Sequence, residues 1–252
     1  QSLLKSMEKE QGGQAMAKET EPAISVDYQL VQDQHALAAL LQQQEKVAIY
    51  FWKEQIAFAL ADDTVWLLPW QKLLKEPEAL AGFWLNDGCK KFACQGKEWL
   101  VRLRRLGLVC HGISEDLALG AYLLDPVAAK YEPQLLAAHY LKQPKLNEKD
   151  YPAEAYAAVN ARLILPLWQI IAEKLQEESL WRLYQEMELP LSEVLADMEV
   201  AGILVDQQVL SRLDVELSGK EAALTAEIYD LAGRSFNINS PKQLGQELFE
   251  EM

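Results

Sequence analysis

Apolar positions fall in short unbroken runs through the first part of the chain and at helical spacing through the last. Val47-Ala-Ile-Tyr-Phe-Trp52 is one such run, followed by Ile56-Ala-Phe-Ala-Leu60 and Thr64-Val-Trp-Leu-Leu68. Asp62-Asp63 separates the last two, which predicts three strands of one sheet, two of them joined by a tight hairpin. Tyr28 to Gln44 reads as a strand and then a helix carrying Leu37, Leu40 and Leu41. Further on, the pattern predicts a helix over Pro77 to Trp84, a turn at Asn86-Asp87-Gly88 and a short strand over Lys91 to Cys94. A helix over Glu98 to Leu106 ends at Gly107. Another spans Ser114 to Leu124, with Leu117, Ala121 and Leu124 on one side and Asp125-Pro126 as its stop. Helices also fit Glu132 to Tyr140 and Ala153 to Glu178. Strands first, then strands alternating with helices, give an α/β class with a mixed sheet.

The pattern changes at Glu177. Leu180, Leu183, Met187, Leu191, Val194, Leu195 and Met198 recur at helical spacing across an expected kink at Pro190. Val200 to Asp206 interrupts them. Leu210, Leu213, Leu217, Leu224, Ile228 and Leu231 then mark a second long helix, ended by Ala232-Gly233. Two antiparallel helices so placed form an arm, with Phe236-Asn-Ile-Asn-Ser-Pro-Lys-Gln-Leu244 at its tip. There Ser240 suits an N-cap, Pro241 the first helical position and Gln243 a capping-box partner. The helix N-terminus offers free N–H groups and partial positive charge. With Asn237, Asn239 and Lys242 beside it, this is equipment for holding a phosphate backbone without reading bases. A capped surface helix accounts for the same residues locally. The expected organisation is a polar linker over 1–25, broken by Gly and Pro, an α/β domain over 26–176, and a helical region over 177–252 that looks cut in mid-domain.

Composition narrows the function classes. Half of the 252 residues are apolar, enough for a sizeable core, and the net charge is −14. That charge argues against a free-standing nucleic-acid binder. Its distribution is uneven: Glu177 to Met252 holds 16 acids and five bases, yet two of those bases, Arg234 and Lys242, flank the tip. No apolar run approaches the roughly 20 residues of a membrane span, and the start lacks a signal peptide's pattern. Cys89, Cys94 and Cys110 form no metal-spaced pair, so a reduced cytoplasmic setting is expected. His35, His111 and His139 are scattered. Trp52, Trp66, Trp70, Trp84, Trp99 and Trp168 fit core packing better than stacking on single strands, and Arg102, Arg104 and Arg105 fit a solvated helix face.

Three stretches carry a resemblance. Glu188 to Asp206, Tyr229-Asp-Leu-Ala-Gly233 and Phe236 to Gly245 closely resemble, in order and spacing, the thumb of family A bacterial DNA polymerases. Ser114 to Pro126 and Tyr156-Ala-Ala-Val-Asn160 resemble the 3′–5′ exonuclease domain of the same family. Gln1 to Lys5 looks like the end of its 5′-nuclease region. The resemblance implies a ribonuclease-H-like exonuclease fold with a mixed sheet, followed by long antiparallel thumb helices. It further implies a monomer whose thumb grips primer–template DNA. The parent would take deoxynucleotides and Mg²⁺ in a palm absent from this sequence. Asn237, Asn239, Ser240, Lys242, Gln243 and Arg234 are the residues expected at the DNA.

The exonuclease chemistry implied by that family needs two divalent cations held by converging carboxylates. Here each position fails. The first strand offers Tyr50 and Trp52 in place of an Asp-x-Glu pair. Gapless alignment back from Gly107 puts Trp99 where an Asp belongs, although Lys97 is kept. Tyr156 is kept, but four residues later stands Asn160. The expectation is a domain without catalytic residues or a bound metal, acting as a scaffold. Two alternatives stand beside it. One is an active proofreading exonuclease with shifted ligands drawn from Glu54, Asp62, Asp63, Asp87 or Asp116. The other is a non-catalytic DNA- or protein-binding module.

Overall fold

The structure, a computed structural model, describes residues 26–111 and 113–251. The linker expected over 1–25 lies outside the described residues. The chain forms two compact units, dividing between Ala201 and Gly202.

In the first unit, six strands make one mixed sheet in the order β1-β4-β3-β2-β5-β6. They are β1 (Tyr28–Leu30), β2 (Lys46–Trp52), β3 (Gln55–Ala59), β4 (Val65–Pro69), β5 (Lys90–Ala93) and β6 (Ile113–Asp116). The pairs β2–β3 and β3–β4 are antiparallel, whereas β1–β4, β2–β5 and β5–β6 are parallel. The turn between β3 and β4 follows from local chemistry. Asp62 accepts from the Thr64 amide at 3.0 Å, and Asp63 adopts φ 68°, a conformation that Asp tolerates better than most residues.

Helices cover both faces. On one lie α1 (Gln34–Gln42), α2 (Trp70–Lys75), a 3₁₀ turn (Pro77–Leu80) running into α3 (Ala81–Trp84), and α4 (Gly96–Arg105). Here Ile49, Phe58, Phe83, Trp84 and Trp99 are buried. On the other lie α5 (Leu117–Leu124), α6 (Pro133–Tyr140) and the long α7 (Ala153–Glu177). The alternation along β2 decides the split, since neighbouring residues point to opposite faces. Ala48 and Tyr50 join the α7 side, and Val47 and Ile49 the other. Small residues on α7 (Ala157, Ala158, Ala161) meet small residues on the strands (Ala48, Ala57, Ala59) in that core, which lets helix and sheet approach closely. By length and hydropathy alone α7 is long and apolar enough to cross a membrane, but it is a core helix with most of that stretch buried.

Three elements differ from the pattern reading. The helix expected from Ser114 begins only at Leu117, because residues 113–116 pair with β5 as an edge strand. Asp116 then caps α5, accepting from Ala118 at 3.0 Å and Leu119 at 3.3 Å. The irregularity expected at Pro190 sits one turn earlier, as a π-helical turn over Tyr184–Glu188 after the single turn α8 (Trp181–Leu183). Finally, residues beyond 176 contribute to the α/β core. Tyr184 is fully buried against Trp168, with rings 5.3 Å apart, and its hydroxyl accepts from the Asp116 amide at 2.7 Å. Ala196 of α9 (Leu189–Ala201) is also fully buried. The first compact unit therefore runs on to Ala201.

The second unit contains α10 (Gln207–Ala232), α11 (Pro241–Gln246) and a terminal π-helical turn over Glu247–Glu251. Asp206 caps α10 by accepting from the Gln208 and Val209 amides. Gly233 ends it at φ 69°, the left-handed conformation glycine adopts without steric cost.

Candidate functional site

The C-terminal end of β2 and one face of α7 bring Tyr50, Trp52, Tyr156 and Asn160 into one neighbourhood. Tyr50 stacks on Trp52 with centroids 6.2 Å apart, and Trp52 lies 4.8 Å from Tyr156. Asn160 is fully buried and uses both ends of its amide. Its oxygen accepts from the Gln134 amide at 3.0 Å, and its nitrogen donates to the Tyr156 carbonyl at 2.8 Å. The Tyr156 hydroxyl donates to Glu132 at 3.0 Å. Gln134 Nε2 donates to both, at 3.1 Å to Glu132 and 3.2 Å to the Tyr156 oxygen.

The electrostatics of this cluster keep protons in place. Burial, reinforced by Glu132, pushes the Tyr156 hydroxyl up to about 12. Burial, with Cys94 nearby, raises Tyr50 further still. The buried Cys94 thiol is also driven up, first by burial and then by Asp116. Two-metal chemistry demands the opposite: ionised oxygens converging on a cation. Two aromatic rings and an amide with both ends bonded do not fit such a group. Among the described residues no cluster of three or more His, Cys, Asp or Glu has metal-binding geometry.

Trp99 stands apart from these four. It stacks on Phe51 at 5.6 Å and packs against Trp84 at 5.9 Å, on the opposite sheet face. The side chain at 99 belongs to the core on that face, across which α4 packs. Lys97, which the alignment retained, pairs with Glu199 of α9. Arg104 donates to the Glu193 carbonyl at 2.8 Å and pairs with Asp197 at 3.2 Å. These contacts tie α9 to α4, so Arg104 does not serve as a solvated surface charge.

The acids weighed as shifted ligands do not converge either. Glu54 accepts from Gln71 at 3.3 Å. Asp62 holds its turn, and Asp63 pairs with Arg162 at 3.2 Å. Asp87 lies 3.7 Å from His111. Asp116 is consumed by backbone, accepting from Gln95 at 3.1 Å and Gly96 at 2.7 Å besides its own cap. Pattern reading missed Glu132 and Gln134. Both stand at the start of α6, and their role becomes visible only when α6 is laid beside Tyr156.

At the tip, Ser240 caps α11, its hydroxyl accepting from Gln243 at 3.4 Å. The expected capping box is not made. Gln243 instead reaches past Ser240 to the Asn237 amide at 2.8 Å, while Ser240's own amide donates to the Asn237 carbonyl. Asn237 Oδ1 accepts from the Asn239 amide at 3.0 Å, closing a turn. Tyr229 donates to the Phe236 carbonyl at 2.7 Å. Arg234 is held by Glu247, with contacts of 2.8 to 3.1 Å.

A six-stranded mixed sheet of this order, covered on both faces, defines a ribonuclease-H-like α/β domain of the 3′–5′ exonuclease type. Residues 44–151 match the family described as DNA polymerase I, ribonuclease H-like domain. The chain is homologous to bacterial DNA polymerase I. It is 37% identical over 198 residues to the DNA polymerase I of Bacillus caldotenax, covering 71% of this chain and 22% of that relative. The chain thus spans well under half the length of the curated relatives it matches. The POL domain of Pol1 from M. smegmatis, solved with DNA primer-template and dNTP, superposes with a TM-score of 0.65 at 24% identity, over 90% of this chain and 40% of that one. The catalytic core of RRP6 from Trypanosoma brucei superposes at 0.53 with 16% identity, over 69% and 54%. Both structural likenesses bear on fold.

Proposed function

We propose that this chain is part of a DNA polymerase I, which extends a primer with deoxynucleotides. Its ribonuclease-H-like domain is catalytically silent and serves as a scaffold. The observation carrying this reading is the closed neutral cluster of Tyr50, Trp52, Tyr156 and Asn160, where the fold would otherwise bring carboxylates together. The ties from Lys97 and Arg104 to α9 support the scaffold role. The residues 236–245, similar to a polymerase thumb tip, hold the phosphate backbone of primer–template DNA through Asn237, Asn239, Ser240 and Lys242. Mg²⁺ serves the parent's polymerase reaction outside this chain. The protein works as a monomer in the cytoplasm, in keeping with three unpaired buried cysteines.

A nuclease assay tests the silent-domain reading. The purified chain, given a 5′-labelled single-stranded oligonucleotide with Mg²⁺ or Mn²⁺, leaves it intact to the level of the buffer control. Metal-dependent shortening that disappears in Glu54→Gln or Asp116→Asn overturns the reading.

A further inference from the structure

The outer side of α6 carries a concentration of positive charge that the scaffold reading does not use. A cavity of about 470 Å³ is lined by Ala129, Lys130, Leu135, Ala138, His139, Lys142 and Lys145. Three of these seven are lysines, one is histidine, and none is acidic. The chain as a whole has a net charge of −14, so three ammonium groups on one cavity stand out against its field. The carboxylates nearest them along the chain are Glu132, beside Lys130, and Glu148, which follows Lys145 and pairs with Lys53 at 2.6 Å. One oxygen of Glu132 lies 3.4 Å from Lys130, while the other is taken by Tyr156 and Gln134. Among the described residues, only Lys130 of the three has a carboxylate partner, and no acid lines the cavity.

The backbone supports the same reading. Lys142 sits at φ 56°, a left-handed conformation that favours glycine. A lysine there aims its ammonium at the end of α6, where Nζ donates to the His139 carbonyl at 2.9 Å. That bond uses one of the three protons of the ammonium and leaves two directed elsewhere. The helix C-terminus tolerates this charge well. Lys130, His139, Lys142 and Lys145 are all exposed, so an anion reaches them without rearrangement.

We propose that this cavity binds phosphate groups, as found in a single-stranded nucleic-acid backbone or in free polyphosphate. The site lies on the outward side of α6, whereas the buried side of that helix packs toward Tyr156. It is therefore separate from the closed cluster. The proposal deepens the polymerase reading, because a second phosphate contact on the scaffold domain would hold a strand outside the thumb.

The test uses the chain with fluorescein-labelled dT12, titrated at several salt concentrations, with tripolyphosphate as competitor. The variant Lys130→Gln/Lys142→Gln/Lys145→Gln is compared with Lys75→Gln/Lys90→Gln/Lys220→Gln, which removes the same charge elsewhere. Circular dichroism melts establish that both fold. Where a melt shows the first variant unfolded, Lys145→Gln alone is used. The cavity variant binds about tenfold or more weaker at 50 mM salt, and its log–log salt slope falls by about two, as loss of three single-strand phosphate contacts requires. The control variant changes neither quantity as much. Displacement by tripolyphosphate at concentrations matched in phosphate assigns the site to free polyphosphate, and resistance to it assigns the site to the polymeric backbone. Equal binding by both triple variants, or no measurable binding by the unmodified chain at 50 mM salt, overturns the proposal. Neither result touches the polymerase reading, which fails only if the parent lacks primer extension.

Discussion

Asn160 illustrates how one neutral side chain closes a site. Its amide donates to one backbone group and accepts from another, a pairing that a carboxylate cannot make. An ionised Asp there would set oxygen against the Tyr156 carbonyl in a fully buried place, where an unpaired charge is strongly disfavoured. Glu115 is the opposite case, an acid kept where a neutral group would do better. Its carboxyl is pushed up to about 7 by burial, with the Tyr184 hydroxyl and Lys90 opposing part of that rise, and one of its oxygens is buried without a hydrogen-bond partner. The folded chain therefore holds a proton that the unfolded chain releases above about 4.5. The associated stability is intact below pH 4.5 and is lost as pH rises through 7. Glu115→Gln removes this dependence. Its melting temperature exceeds that of the unmodified chain at pH 8 by the equivalent of about 1 kcal/mol, a value discounted for partial solvent screening. The difference vanishes near pH 4.5. Parallel melts across pH 4.5–8.5 check it, and a gap that stays constant with pH counts against the assignment.

Between elements, close approach governs what the chain tolerates. A methyl group added at Gly120 on α5 would lie 2.8 Å from Ile171 and 3.0 Å from Trp168 of α7. Alanine helps a helix by about 1 kcal/mol relative to glycine, but overpacking costs about 1–3 kcal/mol. Two buried branched or aromatic neighbours leave little room to shift, so Gly120→Ala is expected to destabilise by about 1 kcal/mol net. Urea unfolding measures it, and an increase in stability would mean that α5 and α7 part easily. The same element scale separates what was legible in the sequence from what was not. Unbroken apolar runs identify β2, β3 and β4 because such strands are buried on both faces. Ser114 and Glu115 misled because an edge strand needs no apolar alternation, while Leu117 to Leu124 already shows helical spacing. Tyr50, Trp52 and Asn160 could be singled out from residue type alone, since none supplies a carboxylate; that they replace metal ligands remains part of the proposal. Glu132 and Gln134, remote in sequence from Tyr156, had no periodic signal to announce them.

For the molecule as a whole, charge decides how strongly the proposed binding to DNA can run. The residues after Glu177 are the more acidic part of the chain, and the tip between α10 and α11 interrupts that acidity with Arg234 and Lys242. The two bases are not equivalent. Arg234 is tied to Glu247, whose carboxylate is almost wholly buried, and a guanidinium so held contributes to the local fold first. Lys242 lies exposed in the first turn of α11, beside the Asn237–Asn239 turn. On a primer–template duplex, the chain as it stands should therefore bind weakly, with a Kd of about 10⁻⁴–10⁻⁵ M at physiological salt. Lys242→Gln should lower the magnitude of the salt slope by about one, the loss of a single phosphate contact. Arg234→Gln should leave the slope nearly unchanged and instead lower the melting temperature, because it strands the Glu247 carboxylate. Anisotropy titrations between 25 and 150 mM salt, paired with thermal melts, distinguish the two. A larger slope change from Arg234→Gln than from Lys242→Gln would mean that the pair opens on DNA and that Glu247 restrains the tip until a phosphate displaces it.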